Sequence, residues 1–273
     1  MLAAMTTRTT LALALLLAAC KSTPAPPGPL QLTMVVPQVG SAVVVTDRLE
    51  SRMHVTSDPG GVVALNTTRL RTSRVEVLAV RPDGAVTGVD VRYDQHRDLQ
   101  TRDGVEQIKP GPLEGHRYRV EADGDRLTAT RDDGAPVTPA EQAALAADVG
   151  RSIGKLPAIS SLLLAHAWPI DRPVTLTEAE LQASFGRNPM MTPVAGTARM
   201  VGLTAGIATF QIDLTLTRDD AQGRAESPLR MTLALDVARF RTTDLTLTGT
   251  LTGTVEQMAT EGTVEGHVRY AYD

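Results

Sequence analysis

The last third of the chain alternates. Phe210, Ile212, Leu214 and Leu216 are separated by Gln211, Asp213 and Thr215, and Leu229, Met231, Leu233, Leu235 and Val237 by residues that include Arg230, Thr232 and Asp236. Leu245, Leu247, Leu251 and Val255 are interleaved with the threonines from Thr246 to Thr254, and Val264, Val268, Tyr270 and Tyr272 close the series. A period of two puts each apolar set on one face of a strand and each polar set on the other, the pattern of an antiparallel sheet wet on one side. A parallel sheet needs near-continuous apolar strands separated by helices, and neither is present.

The same signal, less clean, runs through the first half. Leu30, Leu32, Met34 and Val36 alternate up to Pro37, and Val43–Val45 and Met53–Thr56 read as shorter strands before a turn at Asp58-Pro59-Gly60-Gly61. Val75, Val77 and Ala79 share one face, Pro82-Asp83-Gly84 supplies a turn, and Val89, Val91 and Tyr93 return opposite Asp90, Arg92 and Asp94. A second hairpin pairs Tyr118, Val120 and Ala122 with Leu127 and Ala129 across Asp123-Gly124-Asp125. The segments 74–93 and 198–217 are the best candidates for matching units, which leaves open whether the two halves are similar.

The middle breaks the pattern. Thr138-Pro139-Ala140-Glu141 is a capping box with proline at the first helical position. It predicts a helix to about Arg151 with Leu145, Val149 and Ile153 on one stripe, closed by Gly154 and Pro157. Residues 159–167 are apolar, and periodicity leaves them open between helix and strand. Thr177-Glu178-Ala179-Glu180 is a second capping box, with Leu176 and Leu181 spaced as a hydrophobic staple and Gly186 as the stop. The expected fold class is therefore mainly β: antiparallel sheets, half-barrel or sandwich-like, with one or two helices from the middle segment. The expected organisation is an N-terminal β half over residues 30–135, a helical segment over 136–187 and a C-terminal antiparallel half over 188–273.

Ahead of these elements stands a different kind of segment. Arg8 precedes an apolar run at residues 11–17 that is far too short to span a bilayer, and Leu17-Ala18-Ala19-Cys20 ends it in the only cysteine of the chain. Small residues let a peptidase approach the backbone, and a thiol is a nucleophile that can accept a diacylglycerol group. These four residues resemble the lipobox of bacterial lipoproteins. The resemblance implies a signal peptide over residues 1–19, recognition through Leu17, Ala18 and Ala19, cleavage before Cys20, and lipidation of Cys20. Residues 20–29 then form a proline-rich tether, which in polyproline II form reaches roughly 28 Å over residues 21–29. Lys21 rather than aspartate after the cysteine favours, by resemblance to enterobacterial lipoproteins, the outer membrane over the inner. The expected location is thus the cell envelope, in the periplasm or at the surface, with the membrane as a partner through the lipid.

Composition narrows the rest. The net charge of −4, without a basic block, argues against nucleic acid. Hydrophobic residues make up 42% of the chain but aromatics only 3%, so the core must be built from Val, Leu, Met and Ala, and stacking on sugars or bases has little to work with. The layout resembles β-rich envelope lipoproteins of unassigned role. It also resembles, in architecture alone, the lipoprotein-carrier group, whose open half-barrel holds acyl chains beneath a helical lid.

Catalytic signals are thin. Gly150-Arg151-Ser152-Ile153-Gly154 matches G-x-S-x-G, and Asp171 and His267 follow in the order of an α/β-hydrolase triad. That chemistry requires a strand before the serine and a helix after it, and here a helix comes first. His54, His96, His116, His166 and His267 show no ligand spacing, and the Asp/Gly clusters fail the calcium-loop pattern, so no metal and no cofactor is expected. Most of the histidines should be solvated, with His166, beside Trp168, partly buried and satisfied. The expected role is a non-catalytic one, binding or scaffolding an apolar ligand or an envelope protein. A carrier-like apolar binder is the alternative, and a hydrolase using Ser152 is a weaker one. Leu233, Leu235, Leu247, Ile159 and Leu163 would line a pocket if one existed. Dense packing is the usual fate of apolar surface, so a filled core without a polar anchor is expected there.

Overall fold

The computed structural model describes residues 28–57, 61–102, 105–124, 126–185, 191–220, 223–255 and 258–273. The lipobox residues Leu17, Ala18, Ala19 and Cys20, the signal segment, most of the tether, residues 58–60, Asp125 and Gly186 lie outside the described residues. Strands β1 (Leu30–Gln31), β2 (Ala42–Ser57), β3 (Gly61–Val80), β4 (Val86–Arg102), β5 (Val105–Pro110), β6 (Arg117–Asp123) and β7 (Arg126–Arg131) come first. Helix α1 (Pro139–Asp148), a 3-10 turn at Val149–Arg151, helix α2 (Ala158–Ala165), two short strands β8 (Ala167–Trp168) and β9 (Val174–Thr175), and helix α3 (Glu178–Phe185) form the middle. Strands β10 (Thr192–Thr204), β11 (Ile207–Asp220), β12 (Gly223–Asp236), β13 (Arg241–Val255) and β14 (Met258–Tyr272) follow.

The protein is mainly β and its strand pairings are antiparallel. Twelve strands make one sheet in the order β7-β6-β4-β3-β2-β14-β13-β12-β11-β10-β9, with β5 paired to the far part of β4. The two halves meet where β14 pairs with β2, Tyr270 standing opposite Val45 and Val264 opposite Ser51. The two candidate matching units are the hairpins β3–β4 and β10–β11.

Two strand expectations need correction. The alternating run from Leu30 to Val36 is paired only at Leu30 and Gln31, which meet Trp168 and Ala167. Beyond that it is a strap with no sheet neighbour. Its alternation follows one-sided packing only as far as Met34, with Leu32 buried and Met34 seated over Gly84, while Val35 and Val36 are both exposed. Conversely, Val43–Val45 and Met53–Thr56 belong to one continuous strand, β2. The charges between them stay in the ladder because they are paired: Asp47 with Arg71, and Glu50 with Arg48 and Arg52.

The helices form where the caps predict. Thr138 Oγ1 accepts from the Glu141 amide at 3.2 Å while Glu141 Oε2 accepts from the Thr138 amide at 2.7 Å. Thr177 and Glu180 repeat the exchange at 3.3 and 2.8 Å, and the staple residues Leu176 and Leu181 are both buried. The segment that periodicity left open is helix α2. Each end of the apolar face has its own core. Trp168, Phe210, Ile212 and Leu233 pack with Leu163 of α2, the Trp168 indole donating to the Leu163 carbonyl at 2.8 Å. Val91, Tyr93, Tyr118 and Val120 pack with Leu145 of α1 and with Val149 and Ile153 beyond it.

Between the cores, glycines occupy the same face. Gly249 stands opposite Val264, Gly262 opposite Leu251 and Gly266 opposite Leu247. A Cβ on Gly262 would lie 2.6 Å from the Arg52 carbonyl oxygen, and one on Gly249 2.8 Å from that of Pro228. Backbone already occupies the space a methyl group would need at both positions. Gly262→Ala is therefore expected to lower stability by about 1–3 kcal/mol. Gly202→Ala, where an added Cβ meets nothing within 4 Å, should change it by less than about 0.5 kcal/mol. Urea denaturation of the two variants reads the difference.

Candidate functional site

Glycine and proline decide where the helical segment leaves a gap. After the 3-10 turn, Gly154 adopts a positive φ of 80°, its amide donating to the Val86 carbonyl at 2.7 Å, and Pro157 precedes α2. The chain thus crosses from one core to the other as a linker, Lys155-Leu156-Pro157, over the sheet. Beneath it lies a cavity of about 390 Å³. Its floor is Val43 and Val45 of β2, Ser73, Val75 and Val77 of β3, and Tyr270 of β14. Asp148, Val149, Ser152 and Ile153, the linker and Ser160 form the roof, and the strap supplies a rim through Met34, Val35 and Pro37.

One charged cluster fixes the height of the roof. Arg71, on the floor, pairs with Asp47 of its neighbouring strand at 3.1 Å and with Asp148 at the end of α1. Asp148 also accepts from the Tyr93 hydroxyl at 2.5 Å. An acid in the last turn of a helix opposes the helix dipole, and the guanidinium against it reverses that penalty. Arg71 is thus claimed by two carboxylates, while its Nε, buried, has no partner. Burial pushes the hydroxyls of Tyr93 and Tyr270 above their ordinary value of 10.

A buried acid anchors the start of α1. Glu141 accepts from the Tyr118 hydroxyl at 2.5 Å and from Arg131 Nη1 at 3.1 Å. The Tyr118 hydrogen bond, followed by the Thr138 amide, holds its carboxyl at about 2, below the ordinary 4.5. Ionised Glu141 therefore stabilises the fold in full above about pH 4.5, and that stability drains away as the pH falls towards about 2. Glu141→Gln is expected to cost about 1–3 kcal/mol at neutral pH and to flatten the acid limb of a stability–pH profile. Thermal melts from pH 7 to pH 2 read both effects.

The cavity is not where the sequence placed it. Leu163, Leu233 and Leu235 are fully buried in the α2–α3 core, Ile159 packs against that core, and Leu247 is half-buried. The filled-core expectation holds for Leu163, Leu233 and Leu235. The cavity opens at the junction of the halves, and it does carry polar groups, contrary to expectation. Arg71, Ser73, Asp148 and Lys155 were missed, although the period-two register of β3 puts Ser73 and Arg71 on the face of Val77 and Val75. Ser152 is exposed in the roof just after the 3-10 turn, so no strand leads into it. His267 is bonded to Asp244 at 2.7 Å, and the Asp171 amide to the Met200 carbonyl.

His166 is held by Glu180 at 2.6 Å and edge-on to Trp168, a satisfied, partly buried histidine as expected. His96 departs from the solvated expectation. Packed against Gly111 with a buried Nδ1 lacking a partner, it has its pKa lowered by burial.

The site is thus a roofed, mainly apolar cavity on an open antiparallel sheet. No family model and no curated protein matches the chain. Among solved structures, one of lipovitellin, concerned with lipid–protein interactions, aligns with 86% of this chain at 8% identity and a TM-score of 0.44. The chain spans a quarter of that protein's length, 25%. An S-type phycobiliprotein lyase from Guillardia theta aligns over 85% of this chain and 87% of its own, at 10% identity and a TM-score of 0.19. At these values neither likeness bears on function.

Proposed function

We propose that this protein is a lipid-anchored component of a bacterial cell envelope that holds an elongated apolar ligand without transforming it. What carries this reading is the cavity between sheet and roof. Its volume of about 390 Å³ falls within the 300–1,000 Å³ of small-molecule sites. It far exceeds the voids ordinary packing leaves, and along its valine floor, away from Arg71, Ser73 and the roof, water finds no hydrogen-bond partners. An aliphatic chain satisfies such walls better than water does. The anchoring half of the proposal rests on Leu17-Ala18-Ala19-Cys20, with Lys21 favouring the outer membrane. Two or three acyl chains at about 0.8 kcal/mol per buried methylene suffice for permanent attachment where one does not. The serine-hydrolase alternative is disfavoured by the helical turn that precedes Ser152.

Two outcomes are expected. In cells fed a palmitate analogue the protein is labelled and Cys20→Ser abolishes the label. Label that survives the substitution refutes acylation at this cysteine. Purified protein binds the neutral dye Nile red, and Val45→Phe, which grows a ring from the floor into the cavity, weakens binding at least ten-fold with the melting temperature held. Unchanged affinity in that variant would place the dye elsewhere and sink the cavity as the ligand site.

A further inference from the structure

We infer that the ligand of this cavity carries an anionic head, a carboxylate or a phosphate monoester, held at the mouth by Lys155. The inference rests on the proposed reading of the cavity as a ligand site and adds the chemistry of its polar end. Two cations line the cavity, Arg71 on the floor and Lys155 in the linker. They are not equivalent. Arg71 is engaged by Asp47 and Asp148, and Asp148, the only acid among the described lining residues, is engaged in turn by Arg71 and Tyr93. A second anion at the floor would meet two carboxylates already in place, so that end repels a charged head.

Lys155 is the opposite case. Arginines elsewhere on the sheet are tied to nearby carboxylates, as Arg97 is to Glu114, Arg117 to Asp90 and Arg230 to Asp213. Among the described residues Lys155 has no such partner. It is half-exposed, its lining neighbours Ser152 and Pro157 are exposed, so solvent reaches this edge of the cavity, and the half-buried Ser160 lines the same roof. Its other flank borders a hollow of about 220 Å³ against Gly124 and Gly150, so the side chain is not packed in place on that side. A cationic head would meet Lys155 while Asp148, the acid among the described lining residues, is already engaged, and a neutral head would gain a hydrogen bond from the ammonium but no ion pair. An anionic head gains an ion pair and two hydroxyl donors there while its chain lies along the valines.

Displacement of Nile red from the full chain by dodecanoate, dodecyl phosphate and dodecanol tests this. At least one anion should displace the dye at about five-fold lower concentration than the alcohol, the advantage of a partly exposed ion pair, and the advantage should shrink with added salt. The tighter of the two anions tells a carboxylate from a phosphate head. Lys155→Gln should remove the advantage and leave dodecanol unmoved. Equal displacement by all three in the unsubstituted protein, or equal weakening of all three in Lys155→Gln, overturns the inference while leaving the cavity a ligand site. Failure of the dye to bind at all overturns both.

Discussion

An antiparallel sheet with one apolar face must cover that face, and here the cover is short. Helices α1, α2 and α3 have ten, eight and eight residues, so the longest reaches about 15 Å. The sheet path from β7 to β9, at about 4.8 Å per strand, is on the order of 50 Å wide, and β3 with its twenty residues is about 66 Å long. Three short helices cannot seal such a surface. They are placed at its two ends, where the large side chains are, and the strands between carry the side-chain-free Gly249, Gly262 and Gly266 on the same face. The cavity is what is left between the two covered ends.

The roof over that remainder does not rest on apolar contact alone. Arg71, Asp47, Asp148 and Tyr93 tie the end of α1 to three strands, and Arg71 and Asp148 expose only about a fifth of their side chains, 19% and 17%. Charges at such depth need their partners, since removing one partner strands the other in a medium of low dielectric. A purely apolar contact would let the roof slide or settle onto the floor. A guanidinium shared between a strand carboxylate and a helix-terminal carboxylate has one geometry, and it keeps the roof at a fixed height. The capping pair Thr138 and Glu141, bonded to Tyr118 and Arg131, does the same for the other end of α1.

Local patterns were readable in the sequence and long-range ones were not. The C-terminal strands, the β3–β4 and β6–β7 hairpins, and both capping boxes depend on residues a few positions apart, and each stands where the pattern puts it. The union of the halves depends on β2 meeting β14, where Val45 faces Tyr270 from the far end of the chain, and nothing local encodes that register. Charged residues in β2 disguised one long strand as two, because the pairing of Asp47 with Arg71 is visible only once β3 lies alongside. The strap misled in the other direction, since alternation reports one-sided burial and not hydrogen-bonded neighbours. Of the candidate site, Ser152 was singled out through G-x-S-x-G, a pattern already disfavoured by the helix ahead of it. Asp148 was passed over because an acid at a helix end carries no motif.

Why the gap stays open, when dense packing is the rule, follows from which side chains surround it. At the α2–α3 end the face carries Trp168, Phe210, Met200 and several leucines, long or flexible groups that reach across to the helices. Around the cavity the walls are Val43, Val45, Val75, Val77, Val86 and Val149. Valine is short and stiff at χ1, so it can neither extend into the space nor rotate to fill it. The two aromatics that reach the lining, Phe240 and Tyr270, come from the C-terminal half and are half-buried. Collapse of the roof would have to break the Arg71–Asp148 contact or bring β3 out of register with β2, and both are held by charge pairing. A chain that needed only a core here could have placed leucine at any of these positions. Valine along the floor, beneath a roof tied down by an ion pair, leaves open the space that longer side chains would have filled.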